Sequence, residues 1–464
     1  MIKEASSQRI GEFERTSVPE QHLKSWKSFL GMYAGEHAAG TEFMIGPLFL
    51  STGVSAIDLI IGLLIGNLLA VLSWRYLTAE IAIKHRLTLY FHLEKIAGRR
   101  LVQFYNLANG ILFCFLAGAM ITVSATATGI PLNMKMPGLA DVWPTGSTWI
   151  TVVVATGVII SIVAAKGYNQ VARIANWLAP VIILGFVAGG WIAATQLGIS
   201  NFQDLIDVWG SGTSPLPGQI KFTFWHVVIW SWFCNAAMHI GMADLSVMRF
   251  ARHPRAGWTT AAGMYIGHYM AWIAAALMYS AYLNGPEATG MIADGLIPPV
   301  APGPLAYDIL GIFGAITVVF AGWTTANPTI YRAGLAFQAI FPQTSSARAT
   351  LVAGAIATFA GLFPAFAMKL LDFVALYGFI LAPVGAIITF EHFFGARWGT
   401  SANLAEKTGV SFHKPAFLAW CLSTLFYLLL GWISGIFLSF LILPAWLTSG
   451  FLYLWLNRIF DVNK

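Results

Sequence analysis

The chain has 464 residues, of which 57% are hydrophobic and 10% charged, with a formal net charge of +6. Soluble domains carry roughly 25% charged residues, so this composition excludes a soluble globular protein and points to a chain that crosses a bilayer many times. The basic excess is no sign of nucleic-acid binding, because those residues lie in short loops between apolar stretches, where they report membrane topology.

Residues 1–25 are polar, of mixed charge and without an apolar core, which predicts a cytosolic tail rather than a signal peptide. A spanning helix needs about 20 apolar residues, and about twelve segments qualify. They cover 26–49, 55–82, 101–128, 148–165, 171–197, 222–248, 257–283, 309–341, 348–366, 369–391, 415–436 and 438–457. Lys84, Arg86, Lys95, Arg99 and Arg100 share one loop, Lys166 and Arg173 a second, Arg249, Arg252 and Arg255 a third, and Arg397, Lys407 and Lys414 a fourth. The opposite loops carry only Lys135, Lys221 and Lys369. The basic loops alternate and lie on the side of the N-terminal tail, which predicts a cell-membrane protein with both termini, including the tail 458–464, in the cytosol. Tyr90 to Arg100 reads as a short amphipathic helix on the inner surface.

Spans one to five (26–197) and six to ten (222–391) would enter the membrane from opposite sides, as in an inverted repeat whose equivalent helices break at the midplane. Residues 415–457 then form two peripheral spans.

Span one carries Gly31, Gly35 and Gly40 together with Glu36, His37 and Glu42. Glycines weaken a helix and ionisable groups are costly at membrane depth, so their coincidence marks an unwound segment that handles solute, proton or cation. The plainer reading keeps Glu42 near the outer mouth and lets Glu36 and His37 pair. In span three Asn106 and Asn109 share a face, and helix–helix hydrogen bonding is the ordinary role of such residues. In span six Trp230 and Trp232 bracket Ser231, and on a continuous helix Asn235 and His239 share a face. Aromatic faces beside an amide suit a planar, hydrogen-bonding solute, whereas packing with satisfied polar groups is the plain alternative. Asp244, close to Arg249, reads as an ion-pair or gating residue.

Span eight contains Ala321-Gly-Trp-Thr-Thr-Ala-Asn-Pro-Thr-Ile-Tyr331. Thr324 and Thr325 offer hydroxyl oxygens, and Pro328 removes a donor and frees a carbonyl. A hard monovalent cation wants several oxygens, which these residues would supply against the carbonyls of a broken span one. Both hydroxyls bonding back to the preceding turn is the alternative. Arg332, two turns beyond, points towards the inner end, to snorkel or to close a gate.

These segments resemble the nucleobase–cation symporters of the purine–cytosine and hydantoin permease type. The resemblance rests on Trp323 to Tyr331, on Gly31 to Gly35 and on Arg249-Phe-Ala-Arg-His-Pro after span six. It implies an all-α integral membrane protein of about twelve helices, with a LeuT-type 5+5 inverted repeat plus two peripheral helices. It also implies a sodium site from the carbonyls of Ala34, His37 and Ala321 and the hydroxyls of Thr324 and Thr325. Carried over residue by residue, the stacking tryptophan of span six falls on Trp232 and the span-eight amide on Asn327. The span-three tryptophan and glutamine fall near Phe113 and Ala117, and Glu36 and His37 stand where the family is usually uncharged.

The expectation is therefore a cation-coupled symporter for a nucleobase or related planar nitrogen heterocycle, working by alternating access. Glu36, His37, Phe113, Trp232, Asn235 and Asn327 would bind the solute. A proton-coupled carrier of a small cationic metabolite held by Glu36 is the alternative. No organic cofactor, no nucleic acid and no enzymatic motif is expected; the partners are the solute, Na+ or H+ and the lipid bilayer, and the protein is expected to be a monomer.

Overall fold

The structure, a computed structural model, describes residues 13–461 apart from 139–140, 210–214, 217, 297 and 366–368, and the side chains of 370–373 and 461. The tail expectations for 1–12 and 462–464 lie outside the described residues. Among the described residues the regular elements are helices, with no strand. Among the described residues, eight helices are long and apolar enough to cross a membrane. The side chains on their outer faces are apolar, for example Ile150, Val154 and Val158, and Leu425, Phe426 and Trp432. In lipid this costs nothing, because backbone polar groups are satisfied inside each helix.

The first predicted span is two helices, α1 (Lys27–His37) and α2 (Glu42–Ser51), separated by a non-helical stretch at Ala38–Thr41. The second is α3 (Ala56–Ser73), which runs through a π-helical turn (Trp74–Thr78) into α4 (Ala79–His85). The amphipathic segment is α5 (Leu89–Ala97), opened by the Thr88 hydroxyl accepting from the Phe91 amide. Then follow α6 (Arg99–Gly129), α7 (Gly146–Ala165) and α8 (Tyr168–Gln196).

The sixth predicted span is not one helix. It divides into α9 (Phe224–Phe233), α10 (Ala236–His239) and α11 (Leu245–Met248). Met242 sits between the last two with φ at +66°, a left-handed backbone that a bulky residue adopts only under strain. The seventh begins with a π-helical segment (Ala262–Met270) and continues as α12 (Ala271–Leu283). The long helices that follow are α13 (Ile312–Ile340), α14 (Ser346–Gly361), α15 (Leu370–Phe394), α16 (Lys414–Ser434) and α17 (Leu438–Asp461).

Two packing groups position the site. In one, α13 lies along α6, and both pack on α14 and α7. Small residues permit the approach: a Cβ on Gly322 of α13 would lie 2.8 Å from the Met120 carbonyl and 2.2 Å from the Ser124 hydroxyl of α6. In the other, α3 packs on α9 and α2 on α12, while α1 packs on the π-helical segment. Helix α8 touches α1, α12 and α13 and so bridges the groups.

One end is crossed by the segment ahead of α1. The Val18 amide donates to the Arg86 carbonyl at 3.1 Å, the Lys24 amide to Phe250 at 2.6 Å and the Thr88 hydroxyl to the Glu14 carbonyl at 3.0 Å. Arg249, fully buried, donates to the Phe13 carbonyl at 2.7 Å and lies 4.5 Å over the Phe250 ring.

Candidate solute and cation site

The interruption of span one lies against α13. There the Thr324 hydroxyl donates to the Gly35 carbonyl at 2.8 Å, and the Thr325 hydroxyl lies 3.2 Å from that of Glu36. Both hydroxyls also reach the Ala321 carbonyl, at 3.2 and 3.0 Å. The back-bonding alternative and the inter-helix contact thus coexist. The Ala34 carbonyl is taken by the Ala38 amide at 2.9 Å, and the His37 carbonyl presses on Gly267, where a Cβ would come within 2.6 Å. The junction offers only carbonyl and hydroxyl oxygens, a donor set that fits a hard monovalent cation.

Glu36 does not present its carboxylate to an open pocket. Both its oxygens are clasped by the two terminal nitrogens of Arg332, one at 3.2 Å and the other closer. Nη2 of Arg332 also donates to Asp244 at 2.6 Å. The other Asp244 oxygen accepts from the Tyr33 hydroxyl at 2.9 Å and from the Trp74 indole at 2.7 Å. This corrects the readings of Glu36 and Arg332 and gives the ion pair expected of Asp244 its partner. Glu36 pairs rather than facing solute. Asp244 pairs with Arg332 rather than Arg249, whose own bonds go to the carbonyls of Ser246 and Phe13. Arg332 does not snorkel: it is 1% exposed and ties span one, span six and α13 together. A guanidinium held between two carboxylates is the geometry in which a buried charge is tolerated.

His37 turns the other way. Its Nδ1 is 2.9 Å from the Tyr33 carbonyl, and its ring stands edge-on to Trp74 and to His268 of the π-helical segment, 5.2 Å from the latter. Asn235 meets Nε2 of His268 at 3.2 Å. His268 lies 4.0 Å from Glu42, whose carboxylate also accepts from Thr41 at 3.0 Å and from the Trp272 indole. Glu42 is therefore buried among polar partners and not at an outer mouth. Spans one, six and eight do converge, through Glu36–Thr325 on one side and His37–His268–Asn235 on the other. His268 escaped the sequence reading, although a lone histidine in an apolar span beside Gly263 and Gly267 was a usable signal.

The aromatic and amide expectations are redistributed. Helix α9 ends before Asn235, so the four-residue spacing to His239 fixes no common face; His239 instead reaches the Trp232 carbonyl at 2.9 Å. Trp232 stacks on Phe233 at 4.4 Å and donates to Ser73 at 3.1 Å, whereas Trp230 stacks on Phe437. Phe113 stands edge-on to Tyr377 at 5.0 Å. Asn327 faces α7: with its amide oriented to satisfy both ends, it donates to the Ile160 carbonyl at 3.0 Å and accepts from the Trp323 indole at 2.8 Å. That amide is spent within the packing of α13 on α7 and does not point at spans one and six, because two residues separate it from Thr325, about 200° around a helix of 3.6 residues per turn.

No family profile and no curated protein matches the sequence. Solved structures do match. Mhp1, a nucleobase-cation-symport-1 family transporter in a closed conformation with bromovinylhydantoin bound, superposes with TM-score 0.71 at 13% identity over 95% of this chain and 94% of that one. A Na+-coupled sialic acid symporter in a substrate-bound outward-open state gives 0.66 at 13% identity, over 94% and 89%. The inward-facing conformation of Mhp1 gives only 0.56. The manganese transporter of Eremococcus coleocola gives 0.54 at 14% identity, over 96% and 98%. All of these are transporters and none is an enzyme. At such identities the likeness establishes architecture: the chain is a multi-pass membrane protein with the LeuT-type fold.

Proposed function

We propose that the chain is a secondary active transporter that couples movement of a small solute to a cation by alternating access. The α1–α2, α3 and α9–α12 group would rock against the α6, α7, α13 and α14 group. The observation that carries the reading is the contact of Thr324 and Thr325 with the Gly35 and Glu36 carbonyls where span one unwinds. Sodium is the coupling ion that suits those oxygens. The carbonyls of Ala34, His37 and Ala321 with the two hydroxyls would complete its shell once the hydroxyls rotate. Sodium there would hold the two groups together, stabilise the outward-open state and raise solute affinity, and linkage makes that effect reciprocal.

The solute we favour is a nucleobase or related planar nitrogen heterocycle, on the resemblance of span eight and the hydantoin-bound Mhp1 neighbour. His37, Phe113, Trp232 and Asn235 would lie along its path. The neighbours also include a sialic acid symporter and a manganese transporter, so fold alone does not choose the cargo. Among the described residues no three His, Cys, Asp or Glu side chains gather as a metal cluster, which disfavours a transition metal. We place both termini in the cytosol of a monomer, with 26–197 and 222–391 as the two repeats.

The test is solute binding and uptake in proteoliposomes with and without sodium. Sodium should raise affinity for cytosine or hypoxanthine, and Thr325→Ala should remove that gain. Uptake that ignores sodium, follows a proton gradient and is lost in Glu36→Gln would instead establish the alternative, a proton-coupled carrier of a cationic metabolite. Competition by choline or guanidinium compounds rather than nucleobases would say the same of the solute. The clasp of Glu36 by Arg332 weighs against it.

A further inference from the structure

Asn106, Asn109 and Phe113 stand at i, i+3 and i+7 on α6 and share one face, with Tyr105 at its border. The Phe113–Tyr377 contact sets that face against α15. Gly110 backs directly on Phe337 of α13, since a Cβ there would lie 2.5 Å from the ring. The face therefore looks into the seam between α13 and α15. Asn106 lies roughly 10 Å nearer the Arg99 end than Phe113, at 1.5 Å rise per residue.

Five polar atoms on this seam have no hydrogen-bond partner: both amide atoms of Asn106, Oδ1 of Asn109, and the hydroxyls of Tyr105 and Tyr377. All four residues are buried. The helix–helix bonds expected of the two asparagines are largely absent. Asn106 makes none, and Asn109 makes one, to the Tyr90 hydroxyl at 3.1 Å, which in turn donates to the Arg332 carbonyl. Native interiors leave few such atoms unsatisfied, and several together mark a place where hydrogen-bonding molecules reside. Every one of the five is uncharged. The nearby guanidinium of Arg332 is already committed to Glu36 and Asp244, so a charged occupant would find no counter-ion. An asparagine amide presents a donor and an acceptor side by side, which matches the edge of another amide or imide.

We propose that this seam is a second, inner binding site, filled by water when empty, for an uncharged solute bearing an amide or imide edge. Asn106 and Asn109 read that edge, and the Tyr105 and Tyr377 hydroxyls complete the bonds. The site rests on the transporter reading and narrows its solute: it receives the molecule after it leaves the level of Phe113.

Hydroxyl-radical footprinting of the full chain in nanodiscs tests it, with hypoxanthine as the probe and guanidinium chloride as the charged control. Tyr105 and Tyr377 should be modified despite their burial. Hypoxanthine should protect both at least threefold, and guanidinium should not. Asn106→Leu and Asn109→Leu should abolish the protection; Tyr377→Phe, which keeps the ring packing, should weaken hypoxanthine binding about tenfold and covers the case in which the leucine variants misfold. Unmodified tyrosines would mean a dry seam and overturn the proposal. Modification without protection, while sodium-dependent hypoxanthine binding persists elsewhere, would overturn the inner site and leave the transporter reading standing. If hypoxanthine binds nowhere, with or without sodium, the inner site and the nucleobase reading both fall.

Discussion

Replacing Arg332 with glutamine is the most informative single change. It removes one cation from between two buried carboxylates, Glu36 at 7% and Asp244 at 0% exposure. Asp244 keeps the Tyr33 and Trp74 donors, but Glu36 keeps no charged partner. Removing one member of a buried ion pair costs about 3–5 kcal/mol, because the surviving charge is left uncompensated. That corresponds to a factor of roughly a hundred to several thousand in an equilibrium constant. Arg332 on α13 joins Glu36 of α1 and Asp244 of span six, so the loss falls on the contact between the two packing groups as well as on the fold. Arg332→Gln should lower thermal stability strongly. It should also expose a cysteine placed at Ser246 to a membrane-impermeant thiol reagent added from the Arg249 side. The triple variant Glu36→Gln, Asp244→Asn, Arg332→Gln, which discharges the whole cluster, should recover at least half of the lost stability. An Arg332→Gln protein as stable and as closed as the parent would refute this reasoning, as would a triple variant worse than the single one.

Thr325→Ala deletes one of the two hydroxyls at the α1–α13 junction and should lower sodium-stimulated solute affinity at least tenfold, about 1.4 kcal/mol, with sodium-free affinity unchanged in an equilibrium binding assay. Gly322→Ala puts a methyl against the Met120 carbonyl and should cost about 1–3 kcal/mol of stability by overpacking, read as a lower melting temperature. His92, on α5 outside the spans, is held well below the usual histidine range by burial first and then by the like charges of His85, His392 and Lys95. The unfolded chain therefore binds this proton below about pH 6.5 while the folded protein does not, so stability should fall as pH drops from 6.5 towards the folded value, by up to about 1.4 kcal/mol per pH unit. His92→Phe should flatten that part of the melting-temperature profile; an unchanged slope would count against it.

Apolar run length, glycine and proline placement and loop charge are properties of the chain itself. They were enough to place the long apolar helices, to mark the break in span one and to single out Thr324 and Thr325, because a bilayer allows few solutions to the backbone hydrogen-bonding problem. What sequence could not decide was which way each polar side chain turns. Asn235 and His239 look like neighbours on a helix, but α9 ends before either of them. Asn327 stands in a motif with the threonines and yet faces α7. Glu36 looks like a free carboxylate until Arg332, distant in sequence, is folded against it. Buried charges and amides choose partners by proximity in three dimensions and by the cost of leaving any of them unmatched, and that choice is made only when the helices have packed.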